Sequence, residues 1–88
     1  MNYFFDATEA ILDQLPGLPY DLAQLYALLA LTTGTETTLE NVHDAWSAWT
    51  INHRPDHRSL VPFSELTEEV QELDRKYRDG IVRAAATL

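Results

Sequence analysis

An all-α fold, a compact four-helix single domain with a proline-containing loop between the third and fourth helices, follows from three observations. Apolar residues recur at helical spacing in four stretches of the 88-residue chain. No stretch sustains the alternation of a half-buried strand, and no internal repeat is evident. Proline, glycine and threonine stand where helices should start and stop. With 45% hydrophobic and 23% charged residues, the composition is that of a folded globular chain.

The first helix is expected from about Asn2 to Leu15, because Phe4, Thr8, Ile11, Leu12 and Leu15 share one face. Pro16 and Gly17 end it, and Pro19 suits the first turn of the second helix, where a missing N–H has no partner to lose. That second helix, YDLAQLYALLALTTG, is apolar nearly all round, which predicts a central position. Gly34 is its natural C-terminal cap. Thr37 and Glu40 read as a capping box opening the third helix, which continues through VHDAWSAWTINH until Pro55 disfavours helical geometry at Arg54.

Residues 54–66 are then a loop, stiffened by Pro55 and Pro62, with LVPF as an apolar clip. Thr67 caps the fourth helix, and Glu68 and Glu69 sit where its dipole favours anions. Val70, Leu73, Tyr77, Ile81 and Ala84 form its expected buried stripe. Glu72–Lys76, Asp74–Arg78 and Asp79–Arg83 have the spacing of i,i+4 ion pairs. Gly80 is the weak link, about 1 kcal/mol worse than alanine in a helix.

Charge is unevenly spread. Residues 1–53 hold seven acids and no lysine or arginine, whereas residues 54–88 hold seven acids and six bases, so −7 and −1 make up the net −8. Nucleic-acid binding draws its affinity from basic side chains on phosphates, so no nucleic-acid partner is expected. The longest apolar run, LYALLAL, falls far short of the roughly 20 residues that span a bilayer. No membrane segment and no signal peptide is expected. The absence of cysteine excludes disulfides, thiolate chemistry and cysteine-ligated zinc, and fits a cytoplasmic location.

Both tryptophans and all three histidines fall between His43 and Phe63. At about 100° per residue, Leu39, Val42, Trp46, Trp49 and His53 share a narrow sector of the third helix. The tryptophans are therefore expected in the core, with Leu60 and Phe63 folded back against the last two helices. His43 lies on the flank of the stripe, about 60° from Trp46, and Asp44 points to solvent. The His43-Asp44 pair also occurs in metal-dependent phosphohydrolases of the HD type, which need further ligands and a longer chain. Pro55 keeps His53 and His57 off a shared helical face, so no metal and no cofactor is expected. With no nucleophile setting and no glycine-rich phosphate loop, no catalytic residue is identified and an enzyme is not expected.

His43-x-x-Trp46, then Asp56-His57, then Leu60-Val61-Pro62-Phe63-x-x-Leu66, then Glu69 and Asp74 resemble the signature of the ryanodine-receptor (RyR) repeat over about residues 42–78. The aromatic–glycine segment usual in that repeat is missing, and Arg58 replaces its common proline. LYALLALTTGTETTLENVHDAWSAW with RPDHRSLVPFSELTEEVQELDR also resembles small proteins of actinobacteria and their phages. The RyR resemblance implies a binding or regulatory module, and a phage relative implies a host cytoplasm.

The leading expectation is thus a non-enzymatic interaction module that binds a host or structural protein. Its apolar second helix is left partly uncovered for a partner or a second copy. One alternative is a sensor for a small aromatic or nucleotide-like ligand, bounded by His43, Trp46, His57 and Phe63. Another is an acidic mimic that occupies a basic, nucleic-acid-binding surface. His43, Trp46, Asp56, His57, Phe63 and Asp74 are the candidate binding residues. His43 and Asp74 are further expected at the seam of the last two helices, clasping each other or the loop, with Arg78 as the rival partner of Asp74.

Overall fold

In the computed structural model, which describes residues 2–88, the expected bundle forms from α1 (Tyr3–Gln14), α2 (Tyr20–Thr32), α3 (Leu39–Thr50), α4 (Glu68–Glu72) and α5 (Arg75–Ala85). The last two are pieces of the single fourth helix expected. Short 3-10 turns occupy Gly34–Glu36 and Phe63–Glu65, and no strand occurs among the described residues.

Asn2 caps α1, its side chain accepting the Phe5 N–H at 2.7 Å. Ala7, Thr8, Ile11 and Leu15 are buried along its inner face, as the spacing predicts. Gly17, at φ +92°, turns the chain into α2 by a conformation that a Cβ would disfavour. The central position expected of α2 holds, because it packs on α1, α3 and α5. Leu22, Ala23, Tyr26, Ala27 and Ala30 are buried, while Leu28 and Leu31 remain exposed on the opposite side. Gly34, at φ +60°, ends the helix as expected.

The capping box of α3 exists one residue later than the sequence suggests. Thr38 accepts the Asn41 N–H at 3.1 Å, and Asn41 Oδ1 accepts the Thr38 N–H at 2.9 Å. Thr37 is unavailable because it faces inward, its hydroxyl donating to the Gly34 carbonyl at 2.7 Å and its own carbonyl accepting Arg78 Nε at 3.0 Å. At its other end α3 stops at Thr50, not His53. The His53 N–H and the Arg54 N–H both turn back to the Thr50 carbonyl, so the ladder tightens before Pro55 forbids its continuation.

Thr67 caps α4 as expected, accepting the Val70 N–H at 3.3 Å. At Leu73 and Asp74 the backbone tightens to i→i+3 bonds, on to the Val70 and Gln71 carbonyls, and the helix breaks. Leu73, assigned to the buried stripe, is instead 69% exposed. The break also shifts the charge register, and none of the three expected i,i+4 pairs forms among the described residues. Glu72 pairs with Arg75 at 2.7 Å, Arg78 with Asp79 at 3.0 Å, and Arg83 donates to Gln14 of α1 at 2.9 Å.

The core is contributed by α1, α2, α3 and α5, and many of its residues where α1, α2 and α5 meet are small. Ala7, Ile11, Ala23, Ala27, Ile81 and Ala84 are all 0% exposed. Gly80 belongs to this contact: a Cβ there would lie 2.6 Å from Leu15 Cγ. The residue expected to weaken the last helix is therefore what lets α5 approach α1. No helix is long and apolar enough to cross a membrane among the described residues.

Candidate functional site

Both tryptophans of α3 are partly buried, and Trp49 packs against the core. The buried face of α3 centres on Val42, His43 and Thr50. The expected sector is thus rotated towards His43, which is 3% exposed where a half-wet flank was expected. Trp46 and Trp49 line a groove of about 710 Å³ with His43. Leu22 and Tyr26 of α2, His57 and Ser59 of the loop, and Leu73, Asp74, Lys76 and Tyr77 around the α4–α5 break complete it.

His43 organises the loop side. Its Nε2–H donates to the Val61 carbonyl at 2.7 Å, since a carbonyl can only accept. Its ring stacks on Trp46 at 5.7 Å between centroids and meets Phe63 at 6.1 Å. His57 meets Trp46 edge to face at 5.0 Å. The Ser59 N–H donates to His57 Nδ1 at 3.0 Å, which leaves the proton of the neutral ring on Nε2. The expected folding-back of the loop is therefore met at Phe63, and the tether is a histidine.

Trp49 is fixed differently. Its indole N–H donates to Asp21 Oδ1 at 2.8 Å, and its ring lies 4.2 Å from that of His53. Asp21 also accepts the Leu22 N–H at 3.0 Å, and His53 Nε2 stands 3.4 Å from its other oxygen. The Trp49 hydrogen bond, above all, holds the Asp21 carboxyl below the usual carboxylate range.

On the opposite side Asp74 is half-buried. Burial pushes its carboxyl above the usual range, and the neighbouring His43 works against that shift. No side-chain hydrogen bond reaches it among the described residues, because Arg78 is engaged by Thr37 and Asp79. Tyr26, 1% exposed, has its phenol pushed well above its ordinary value, by burial first and then by Asp74 and Tyr77. It therefore stays protonated. Tyr26 and Tyr77 lie 6.1 Å apart, and Lys76 Nζ stands 5.7 Å from the centre of the Tyr77 ring.

Of the six candidate residues, the groove brings together His43, Trp46, His57 and Asp74. Phe63 supports it from behind His43, and Asp56 stands exposed outside it. The clasp is half made: His43 holds the loop, but no hydrogen bond joins it to Asp74. Tyr26, Trp49 and Tyr77 read as core stripe in the sequence, and no local signal ties Asp21 to Trp49 across the intervening chain. No three histidine, aspartate or glutamate side chains converge as a metal ion would require among the described residues.

Neither a curated protein nor a solved structure matches the chain. A family model described as a domain of unknown function, DUF7701, matches residues 2–86, so the chain belongs to that family.

Proposed function

We propose that this chain is a non-enzymatic binding module that takes a segment of a protein partner into the aromatic groove. The observation that carries the reading is the convergence of His43, Trp46, His57 and Asp74, chosen from sequence pattern, on one cavity of about 710 Å³. A partly buried acid without a hydrogen-bond partner and several incompletely buried aromatic rings are costly to keep unless something covers them. The RyR-like spacing of the same residues agrees with a binding or regulatory role, in the cytoplasm of a host if the chain is phage-encoded. Leu28 and Leu31 of α2 offer a secondary apolar contact for the partner or for a second copy.

The chain has no cysteine, so a photo-crosslinker can be placed at one position by Ser59→Cys on the groove or by Asp13→Cys on α1. Capture of a partner from Ser59→Cys alone, lost when Trp46→Ala is added, is the expected result. Equal capture from both positions, or from neither, contradicts the reading.

A second reading, a sensor for a small aromatic or nucleotide-like ligand, is favoured by the groove's volume, which lies within the range of about 300–1,000 Å³ usual for ligand sites. A thermal-shift screen against nucleotides separates the two, because a sensor's ligand must raise Tm by mass action. The acidic-mimic reading is supported by the exposure of all seven acids in residues 1–53. Its signature is partner affinity that falls steeply with salt.

A further inference from the structure

We infer that the groove is built for an arginine side chain presented by a protein partner, an inference that rests on the binding-module reading above. Three independent features of the site converge on that chemistry.

The first is the acid. Asp74 is half-buried and no protein donor satisfies it among the described residues, so its oxygens are open to a ligand that brings N–H groups. A guanidinium supplies two parallel N–H donors in the geometry a carboxylate accepts, and it is hydrated weakly enough to enter a partly dry site.

The second is the aromatic lining. Trp46, Trp49, Tyr26 and Tyr77 surround the space that such a group would fill. Ring faces attract cations, and arginine adds planar stacking that lysine lacks. The protein already uses this chemistry at the rim, where Lys76 Nζ lies 5.7 Å from the centre of the Tyr77 ring.

The third is the field. All seven acids of residues 1–53 are exposed, no lysine or arginine offsets them there, and the whole chain carries −8. That potential draws cations towards the groove and repels phosphates. Asp21 does not line the groove, but it accepts the indole N–H of Trp49, which does, and that bond lowers its pKa. Lys76 is the one lysine or arginine among the residues lining the groove. An anionic ligand would therefore meet the Asp74 carboxyl and a single permanent cation in the groove.

The test uses the full chain labelled with ¹⁵N and three short capped peptides, identical except for a central arginine, lysine or citrulline. Citrulline keeps the shape of arginine and removes its charge. The arginine peptide should shift the amide resonances of groove residues such as Trp46, His57 and Asp74. Citrulline should bind at least about tenfold more weakly, and lysine should fall between them. Asp74→Asn, with its fold checked by the same spectrum, should weaken the arginine peptide by about tenfold. Asp13→Asn on α1 should change it by less than about twofold. Equal binding of arginine and citrulline at the groove overturns the arginine assignment and leaves the binding module standing. So does groove binding of adenosine monophosphate that exceeds that of the arginine peptide. Shifts scattered over α1 and the other acidic surfaces reduce the effect to general charge attraction and overturn it too. The wild-type comparison of arginine with citrulline decides the matter even if Asp74→Asn unfolds.

Discussion

The two sides of this bundle use opposite kinds of residue. Where α1 packs on α2 and α5, the buried contacts are mostly alanine, isoleucine and leucine with one glycine, and the backbones come close enough for Gly80 to rest on Leu15. Where α3 and the loop face α2 and the start of α5, the residues are tryptophan, tyrosine and histidine, and they enclose space. Bulk alone therefore does not mark the core here: Tyr26 is buried, while the tryptophans, the largest side chains, line the opening.

The contrast predicts that the close-packed contact of α1, α2 and α5 carries much of the stability. Ile81→Ala, at 0% exposure in the dry contact, should cost about 2–5 kcal/mol. Against the roughly 5–15 kcal/mol that holds a domain folded, this is the largest single loss expected. Urea denaturation measures it, and a cost below about 1 kcal/mol would show that the contact is looser than it is drawn.

His43→Ala should come next, at about 1–3 kcal/mol, because it orphans the Val61 carbonyl. Its distinguishing mark is local: amide exchange should accelerate in the loop, at residues such as His57 and Leu60, before it does in α1. Uniform acceleration would mean that the histidine supports the whole core and is no tether.

Gly80→Ala sharpens the comparison because two effects oppose each other. Alanine gains about 1 kcal/mol of helix propensity, but overpacking against Leu15 costs about 1–3 kcal/mol. A net loss of up to about 2 kcal/mol is expected. Net stabilisation would return Gly80 to the role of a simple weak link.

Much of the dry side was legible in sequence. The face of α1, the N-terminal proline and C-terminal glycine of α2, and the Thr67 cap are local signals, and each is where the spacing puts it. What failed was decided by distant residues. Thr37 could not cap α3 because Arg78 and Gly34 claim it, and Leu73 left its stripe because the fourth helix breaks. The candidate site was half legible. His43, Asp56, His57 and Asp74 stood out as polar residues that the core pattern does not need, whereas Trp46 read as core. Tyr26, Trp49 and Tyr77 enter the groove, and Asp21 reaches Trp49, only through tertiary placement that periodicity does not encode.

The smallest expected effect is electrostatic. Burial raises the Asp74 pKa above its unfolded value, so the native state binds that proton more tightly than the unfolded chain does. The stabilising contribution of this group therefore grows as pH falls through the raised value and is lost above it. Asp74→Asn should raise Tm at neutral pH, and its advantage over wild type should shrink as pH falls towards the unfolded value of 3.8. An advantage that grows in acid would contradict the assignment.

The central claim, that the aromatic side of the bundle is an opening and not a second core, is tested most directly by the stability of Trp46→Ala in urea. A fully buried tryptophan costs about 3–5 kcal/mol on truncation to alanine. A half-buried one that lines a groove should cost about 1–2 kcal/mol, with an unchanged urea dependence and a cooperative transition. A chain that fails to fold, or a loss above about 3 kcal/mol, would place Trp46 in the core and contradict the account.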